Sequence, residues 1–299
     1  MGRFLLVLLA VLAAAGAARA DPRCPDTPHR LESVTLAAAE LGVDKRLLVY
    51  LPPGYGCGDA RRYPLLVVND GQDLFDWNPY AGELPAEVAA EIDRRRGWYG
   101  SWRLDAQLDA AAAAGLLPPM VVVGIASDDG RRSSDLVPVA WEGASEGLGE
   151  AYGRFVAGVV VPFAERRWRL AGDRRCRTIA GASFGGVSAL QIGLAHPDVF
   201  GLALALSPVL REPAIAGYIA GAWRTRPPGP PARILVDFDD DAVGAADRAW
   251  LAAVTRDAAE VALRTSPQGR HALGSWRARA IGDLARLSAA SCRPASPAG

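Results

Sequence analysis

The sequence lacks a charge excess of either sign. Its 299 residues hold 33 basic and 33 acidic side chains, and the basic residues are almost all arginine, with Lys45 the single lysine. Contacts with nucleic-acid phosphates or with an anionic bilayer surface need a basic excess. We therefore expect no nucleic-acid partner, and we do not expect a protein that binds a membrane surface through a polybasic segment. The 50% hydrophobic content also excludes a disordered, low-complexity chain.

Long apolar runs are absent as well, except at the N-terminus. Arg3 precedes an apolar run over residues 4–18, and a small–x–small cleavage pattern ends at Ala20. About 15 apolar residues are few for a bilayer span. We therefore predict a secretory signal peptide over residues 1–20. The remaining residues 21–299 would form a single domain, secreted or periplasmic, with no membrane contact after cleavage.

Cysteine is scarce, with four residues: Cys24, Cys57, Cys176 and Cys292. An even number in an exported chain favours two disulfides. The spacings match no zinc pattern, and we expect no metal. Of the three connectivities, we predict Cys24–Cys57 and Cys176–Cys292, which would tie the N-terminal segment to an early loop and the C-terminus to the sheet.

Short apolar runs rich in β-branched residues alternate along the chain with alanine-rich stretches. We predict strands at Val34–Ala37, Leu47–Leu51, Leu65–Val68, Val121–Ile125, Thr178–Ala180, Leu202–Leu206, Ile234–Phe238 and Val261–Thr265. We predict helices around Leu84–Arg95, Leu104–Ala114, Gly149–Arg167, Val187–Ala195, Ala245–Ala259 and Ser275–Ala289. This alternation predicts an α/β fold with a mostly parallel central sheet, helices on both faces, and an antiparallel hairpin at its N-terminal edge.

One turn has the spacing of a catalytic nucleophile. Gly181, Ser183 and Gly185 give the pattern G-x-S-x-G, which follows an apolar strand and precedes a helical stretch. In that context the small residues allow a sharp strand-to-helix turn that exposes a serine hydroxyl at the helix N-terminus. We therefore predict Ser183 as a nucleophile. The backbone N–H of Phe184 would then face a developing oxyanion.

A serine nucleophile needs a base, and the chain has three histidines. His29 precedes the first predicted strand, and His196 ends the helix that follows Ser183, roughly 20 Å away by helix rise. His271 lies between the last predicted strand and the last helix. The chain order serine, acid, histidine requires a base at that position, so we predict His271.

The acid should follow the strand Ile234–Phe238, where the chain offers consecutive aspartates. Because the strand must end before the acid, we rank Asp241 first, Asp240 second and Asp239 third. Asp237 falls within the strand. A calcium loop of the EF-hand type is excluded, because its sixth and twelfth positions would not be Gly and Glu.

A second oxyanion donor is expected from the loop after an early strand. That loop runs from Asn69 to Asp76, and Gly71 allows close backbone approach. The N–H of Gln72 is the natural donor there.

Taken together, several stretches resemble one family. They are Val49–Tyr55, Asp70–Asp76, Pro118–Ile125, Arg132–Pro138, Ile179–Gly186, His196–Gly201, Leu206–Pro208, and His271 with Trp276. In this order and spacing they resemble the Putative esterase family of α/β-hydrolases, over residues 32–290. That family includes enterochelin-esterase-like proteins, feruloyl esterases, S-formylglutathione hydrolase and mycolyltransferases.

The resemblance implies a serine hydrolase that cleaves small carboxylic esters through an acyl-enzyme on Ser183, without a cofactor. His271 would be the general base and Asp241 would orient it, while the amides of Gln72 and Phe184 would hold the oxyanion. Two alternatives stay open: acyl transfer to a sugar acceptor, and a catalytically inactive hydrolase fold used for binding. No motif selects one substrate or an oligomeric state.

Two further features have two interpretations each. Trp98, Tyr99 and Trp102 either line a substrate pocket or pack in the core. Arg132 either contacts substrate or forms a structural ion pair.

Overall fold

The structure, a computed structural model, describes residues 27–57, 61–77, 86–87, 90, 94, 100–128, 130–144, 146–240, 242–256, 258–288 and 292. The predicted signal peptide, Cys24, Trp98, Tyr99 and Asp241 lie outside these residues, as does most of the helix predicted at Leu84–Arg95. Within these ranges, no helix combines the length and the apolar character that a membrane span needs.

In the described part of the chain, eight strands form one sheet. They are β1 Arg30–Ala38, β2 Val43–Leu51, β3 Leu65–Asn69, β4 Val121–Ile125, β5 Arg177–Ala182, β6 Leu202–Leu206, β7 Arg233–Phe238 and β8 Val261–Thr265. Their order across the sheet is β1-β2-β4-β3-β5-β6-β7-β8. β1 pairs antiparallel with β2, and β2 pairs antiparallel with β4, while the other pairs are parallel. This confirms the predicted α/β fold with an antiparallel N-terminal edge.

The central strands are apolar on both faces because both faces are covered. Every residue of β3, β4 and β6 is buried. Side chains alternate between the faces of a strand, so Val67 and Val123 belong to one apolar cluster and Leu66 and Val122 to the other. A continuous apolar run in the sequence is therefore a reliable sign of an interior strand here.

Helices cover both faces of the sheet. Those that lie within the described residues without gaps are α1 Leu104–Ala113, α2 Arg132–Leu136, α3 Gly149–Phe155, α4 Val161–Arg167, α5 Phe184–Ala195, α6 Pro213–Thr225, α7 Ala242–Val254 and α8 Leu273–Ser288. Buried side chains of α3 to α7 join the first cluster, whereas those of α1 and α8 join the second. The single helix predicted over Gly149–Arg167 is interrupted by a π-helical turn at Val156–Val160. α6 was not predicted from the sequence.

The predicted Cys176–Cys292 disulfide is present and links the start of β5 to the segment after α8. It closes a loop with a sequence separation of 116 residues. The other predicted pair includes Cys24, which lies outside the described residues.

Candidate active site

The turn that carries Ser183 joins β5 directly to α5. Ser183 has φ 59° and ψ −124°, a backbone conformation that is costly for a residue with a side chain. Its N–H donates to the Leu206 carbonyl at 3.0 Å, and its own carbonyl accepts from Gly186 and Val187. These backbone bonds hold the serine in the strained conformation that the G-x-S-x-G pattern predicts.

Two glycines make this turn sterically feasible. A Cβ on Gly181 would lie 2.3 Å from the Gly185 carbonyl oxygen. A Cβ on Gly185 would lie 2.9 Å from Asp70 Oδ2 and 3.2 Å from Asn69 Cβ. The side chain of Asn69 also donates to the Gly185 carbonyl at 2.9 Å. The start of the predicted oxyanion loop therefore packs directly on the serine turn.

His271 lies between Ser183 and an aspartate. Its Nε2 is 2.9 Å from Ser183 Oγ, and its Nδ1 is 3.0 Å from Asp239 Oδ2. The imidazole also stands edge-on to the Trp276 ring, with centroids 5.1 Å apart. A serine, an imidazole and a carboxylate in this series form the arrangement that activates a hydroxyl for nucleophilic attack.

The aspartate beside His271 corrects the ranking made from the sequence, in which Asp241 stood first and Asp239 third. β7 ends at Phe238, so Asp239 is the first residue after the strand and already reaches the histidine. Asp240 is exposed, and its Oδ2 accepts from the Gln268 N–H at 3.0 Å. Asp241 lies outside the described residues. The ranking was wrong because it assumed a longer turn between the strand and the acid.

The Asp239 carboxylate is 5% exposed and has several donors. Besides His271, Ser207 Oγ donates to its Oδ1 at 2.6 Å and Arg279 Nη2 at 2.9 Å. Burial alone would raise the pKa of Asp239, but the hydrogen bonds from His271 and Ser207 and the charge of Arg279 outweigh it, so the pKa is lowered. The carboxylate is therefore ionised at neutral pH, as a partner of an imidazolium must be.

The predicted oxyanion loop turns sharply after β3. Asp70 has φ 59°, and Gly71–Asp73 form a single 3₁₀ turn. The Gln72 side chain is held by the segment that follows β4, since its Oε1 accepts from the Ser127 N–H at 2.9 Å. A Cβ on Gly71 would lie 2.4 Å from the carbonyl carbon of Gly124, so only glycine allows the loop to approach β4 this closely.

Arg132 connects the oxyanion loop to the serine turn. Its guanidinium donates to both carboxylate oxygens of Asp70 at 2.8 Å and lies 5.6 Å from the centre of the Phe184 ring. Phe184 is the first residue of α5, where an N–H has no acceptor within the helix. The ion pair is thus the observed role of Arg132.

Other residues considered from the sequence lie away from this centre. His29 Nδ1 is 2.6 Å from Asp109 Oδ2, and His196 is at the C-terminal end of α5, where burial lowers its pKa. Trp102 is 4% exposed and packs in the second apolar cluster. Among the described residues, no group of three His, Cys, Asp or Glu side chains could hold a metal ion.

A cavity opens beside His271 and Asp239. Its lining also includes Pro208, Val209, Arg211, Val243 and Asp247. The serine turn thus lies close to a space that a small acyl or alcohol group could enter.

Two residues of the site had not been identified from the sequence, Ser207 and Arg279. Ser207 lies in the Leu206–Pro208 stretch that carried part of the family resemblance, so a signal was present. No sequence signal marked Arg279, because one more arginine on a helix does not stand out in a chain where arginine supplies nearly every positive charge.

The fold with this site is that of an α/β-hydrolase. A family profile described as Putative esterase matches residues 38–285, and the chain belongs to that family. Membership of an esterase family supports ester hydrolysis in general.

Curated relatives are similar over part of their length. The uncharacterized proteins YbbA and YjcH of Bacillus subtilis (strain 168) are 25% identical over 166 residues and 26% identical over 170 residues. The alignments cover 53% and 56% of this chain and 54% and 58% of the relatives. The chain thus spans just over half the length of these relatives.

Solved structures with a similar fold include three hydrolases. A ferulic acid esterase has a TM-score of 0.63 and 18% identity, covering 88% of this chain and 99% of that protein. The enterobactin esterase FES from Shigella flexneri has a TM-score of 0.64 and 20% identity, covering 89% of this chain and 60% of that protein. An IroE-like serine hydrolase from Shewanella oneidensis has a TM-score of 0.64 and 15% identity, covering 86% of this chain and 79% of that protein. At these identities the likeness shows the fold.

Proposed function

We propose that this protein is an exported serine hydrolase that cleaves small carboxylic esters through an acyl-enzyme on Ser183. The observation that carries the proposal is the hydrogen-bonded series Ser183–His271–Asp239 at the strained turn after β5. Each role follows from chemistry: a hydroxyl that can attack, an imidazole that can take its proton, and a carboxylate that stabilises the resulting imidazolium.

Acylation begins when Ser183 Oγ attacks the ester carbonyl carbon and His271 Nε2 takes the hydroxyl proton. The carbonyl oxygen becomes an oxyanion, which the N–H groups of Phe184 and Gln72 would stabilise. When the tetrahedral intermediate collapses, the ester C–O bond breaks and His271 returns the proton to the departing alcohol. Asp239 keeps its negative charge throughout and stabilises the imidazolium.

Deacylation repeats these steps with water as the nucleophile. His271 Nε2 takes a proton from water as the water oxygen attacks the acyl carbon. The second tetrahedral intermediate uses the same oxyanion donors. Its collapse breaks the bond to Ser183 Oγ, which regains its proton, and releases the carboxylic acid.

The substrate class and the location rest on separate observations. The pocket beside His271 and Asp239 is small and open to solvent, which suits a small ester. Two solved structures with this fold are named as esterases, a ferulic acid esterase and an enterobactin esterase. Export is supported by the signal-peptide pattern of residues 1–20 and by the Cys176–Cys292 disulfide, since disulfides persist mainly outside the cytosol.

Covalent labelling tests the proposal directly. A fluorophosphonate probe should label wild-type protein stoichiometrically, and Ser183→Ala should abolish the label together with hydrolysis of p-nitrophenyl acetate. We expect the loss in kcat to be about 10⁴-fold or more, the scale seen when a triad nucleophile is removed. Ser188→Ala is the matched control, a buried serine on α5 outside the site, and should label normally.

Three outcomes would overturn the proposal in whole or in part. Wild-type protein that neither labels nor hydrolyses any of a panel of chromogenic esters would favour a binding protein with a hydrolase fold. Equal labelling of Ser183→Ala would move the nucleophile elsewhere. An ester product that forms only when a sugar acceptor is added would favour acyl transfer over hydrolysis.

A further inference from the structure

Arg279 on α8 is a buried cation that takes no part in the catalytic steps above. Its side chain is 7% exposed and lies behind the Asp239 carboxylate. Nη2 donates to Asp239 Oδ1 at 2.9 Å, and Nη1 donates to the Phe238 carbonyl oxygen at 3.2 Å. One guanidinium therefore fixes both the carboxylate and the backbone immediately before it.

The Ser207 hydroxyl provides a second route from Arg279 to the same carboxylate oxygen. Its oxygen accepts from Arg279 Nη2 at 2.5 Å and from Trp276 Nε1 at 2.9 Å. A hydroxyl has one donor hydrogen and two acceptor positions. Since both acceptor positions are used, the hydrogen is directed to Asp239 Oδ1, 2.6 Å away. Oδ2 is left to face His271.

Helix α8 also contacts the base. Trp276 and Arg279 are three positions apart and therefore share one face of the helix. The Trp276 ring packs edge-on against His271. The loop before His271 packs closely against the Arg279 guanidinium, since a Cβ placed on Gly269 would lie 2.9 Å from Arg279 Nη1. The same helix face thus sets the positions of both the acid and the base.

Arg279 also faces a second buried carboxylate, since its Nη1 lies 3.7 Å from Asp237 Oδ1, a longer contact than the 2.9 Å hydrogen bond of its Nη2 to Asp239. Asp237 and Asp283 are fully buried, and Asp237 Oδ1 and Asp283 Oδ2 each lack another hydrogen-bond partner. Burial, followed by the hydrogen bond and charge of Asp237, raises the pKa of Asp283 to about 7. Arg264 hydrogen-bonds Asp283 and lies 3.7 Å from Asp237 Oδ2, so a second arginine faces these two carboxylates.

We propose that Arg279 is a positioning residue for the hydrolysis proposed above, on which this inference rests. Directly and through Ser207, it holds the Asp239 carboxylate in the orientation that presents Oδ2 to His271 Nδ1. Removing it would leave a buried carboxylate with fewer donors, free to turn away from the imidazole.

The pH profile separates positioning from general stability. The charged groups around Asp239 come from several neighbouring elements. They are His271 in the loop before α8, Arg279 and Asp283 on α8, Arg264 on β8, Asp237 and Asp240 on either side of the end of β7, Asp247 on α7, and Arg211 after β6. Arg279 is the cation that hydrogen-bonds Asp239, so its loss makes protonation of the Asp239–His271 pair easier. The acidic limb of kcat/KM should therefore move to higher pH.

The test compares Arg279→Met with Arg264→Met in the full-length protein. Arg264 belongs to the same charged cluster but has no hydrogen bond to Asp239, which makes it a matched control. We expect Arg279→Met to lower kcat/KM about 10²-fold, the scale of a misplaced catalytic group. Its acidic limb should move up by about one pH unit. Arg279→Lys should recover part of the loss, whereas Arg264→Met should stay within about threefold of wild type with its limb unmoved.

Two readouts keep the result independent of folding and of the proposed reaction. Ser207→Ala is a milder variant that should move the acidic limb in the same direction if Arg279→Met does not fold. Proton NMR should show a far-downfield His271 Nδ1–H signal in wild type and Arg264→Met that weakens in Arg279→Met, whether or not the protein hydrolyses esters. His271→Ala assigns the signal.

The outcomes are distinguishable. Equal losses in both arginine variants with unmoved pH limbs and an unchanged NMR signal would reduce Arg279 to a structural residue and leave the hydrolase proposal standing. Failure of wild type to label or hydrolyse would overturn the proposed function, while the NMR comparison would still decide whether Arg279 orients Asp239.

Discussion

At the residue scale, the candidate site depends on which aspartate after β7 meets His271. Asp239→Asn should lower kcat/KM by about 10³- to 10⁴-fold, because an amide cannot stabilise the imidazolium and favours the wrong histidine tautomer. Asp240→Asn is the matched control, since Asp240 is exposed and its carboxylate accepts from the Gln268 backbone. It should keep activity within a few-fold of wild type. The measurement is kcat/KM on p-nitrophenyl acetate at pH 7.5.

The reverse order of effects would contradict the assignment of Asp239 as the acid. Two of the three residues in the series were predictable, because the serine has a motif and the histidine has few competitors. The acid was not. The strand end at Phe238 was predicted correctly, but consecutive aspartates after it do not show which one reaches the histidine. That depends on where the loop before α8 places His271, which is not a local property.

At the scale of elements, β7 and α8 meet through the buried carboxylates of Asp237 and Asp283. The folded-state pKa of Asp283 is raised to about 7, above the value near 4 of an unfolded chain. Its contribution to stability is therefore fully present below about pH 4 and is lost as pH rises to about 7. Asp283→Asn has no proton to lose, so its Tm should fall less than that of wild type between pH 5 and pH 8.

Thermal unfolding by circular dichroism at several pH values measures this difference. The Tm difference between the variant and wild type should be a few degrees more favourable to the variant at pH 8 than at pH 5. Each kcal/mol of stability corresponds to about 2–4 °C in Tm. Asp240→Asn again serves as control, because an exposed carboxylate should not alter the slope. Parallel Tm curves for wild type and Asp283→Asn would show that the buried pair does not hold a proton.

The helices show where local patterns were sufficient and where they were not. The interior strands were predicted within one or two residues, because burial on both faces leaves an unmistakable apolar run. α6 was missed because Gly217 and Gly221 weaken its helical pattern, although Pro213 at its first position is a common helix start. The π turn at Val156–Val160 has no sequence signal, since its residues would suit an α-helix as well.

At the scale of the whole molecule, the Cys176–Cys292 disulfide joins two distant parts of the chain. Replacing both cysteines with alanine should lower Tm on the order of 10 °C, since losing a native disulfide typically costs about 2–5 kcal/mol. Activity at 25 °C should change little. Cys176 precedes β5 and Ser183 follows it, and a six-residue strand separates them by roughly 20 Å.

Single variants provide the control for the disulfide prediction. Cys176→Ala and Cys292→Ala should each lose about as much stability as the double variant, because either one breaks the same bond. Additive losses in a double-mutant cycle would instead show that each cysteine stabilises the protein through its own packing.

The strand order across the sheet also constrains how the chain folds as it is synthesised. β3 pairs on one side with β4 and on the other with β5, where Leu65 is opposite Arg177, 112 positions later. Until β5 emerges, one edge of a strand with four consecutive apolar residues has no neighbour, and such edges favour aggregation. Because long-range pairings slow folding, the nascent chain must stay unpaired or shielded for most of its synthesis. The turn that holds Ser183 then forms with the strand that completes the middle of the sheet.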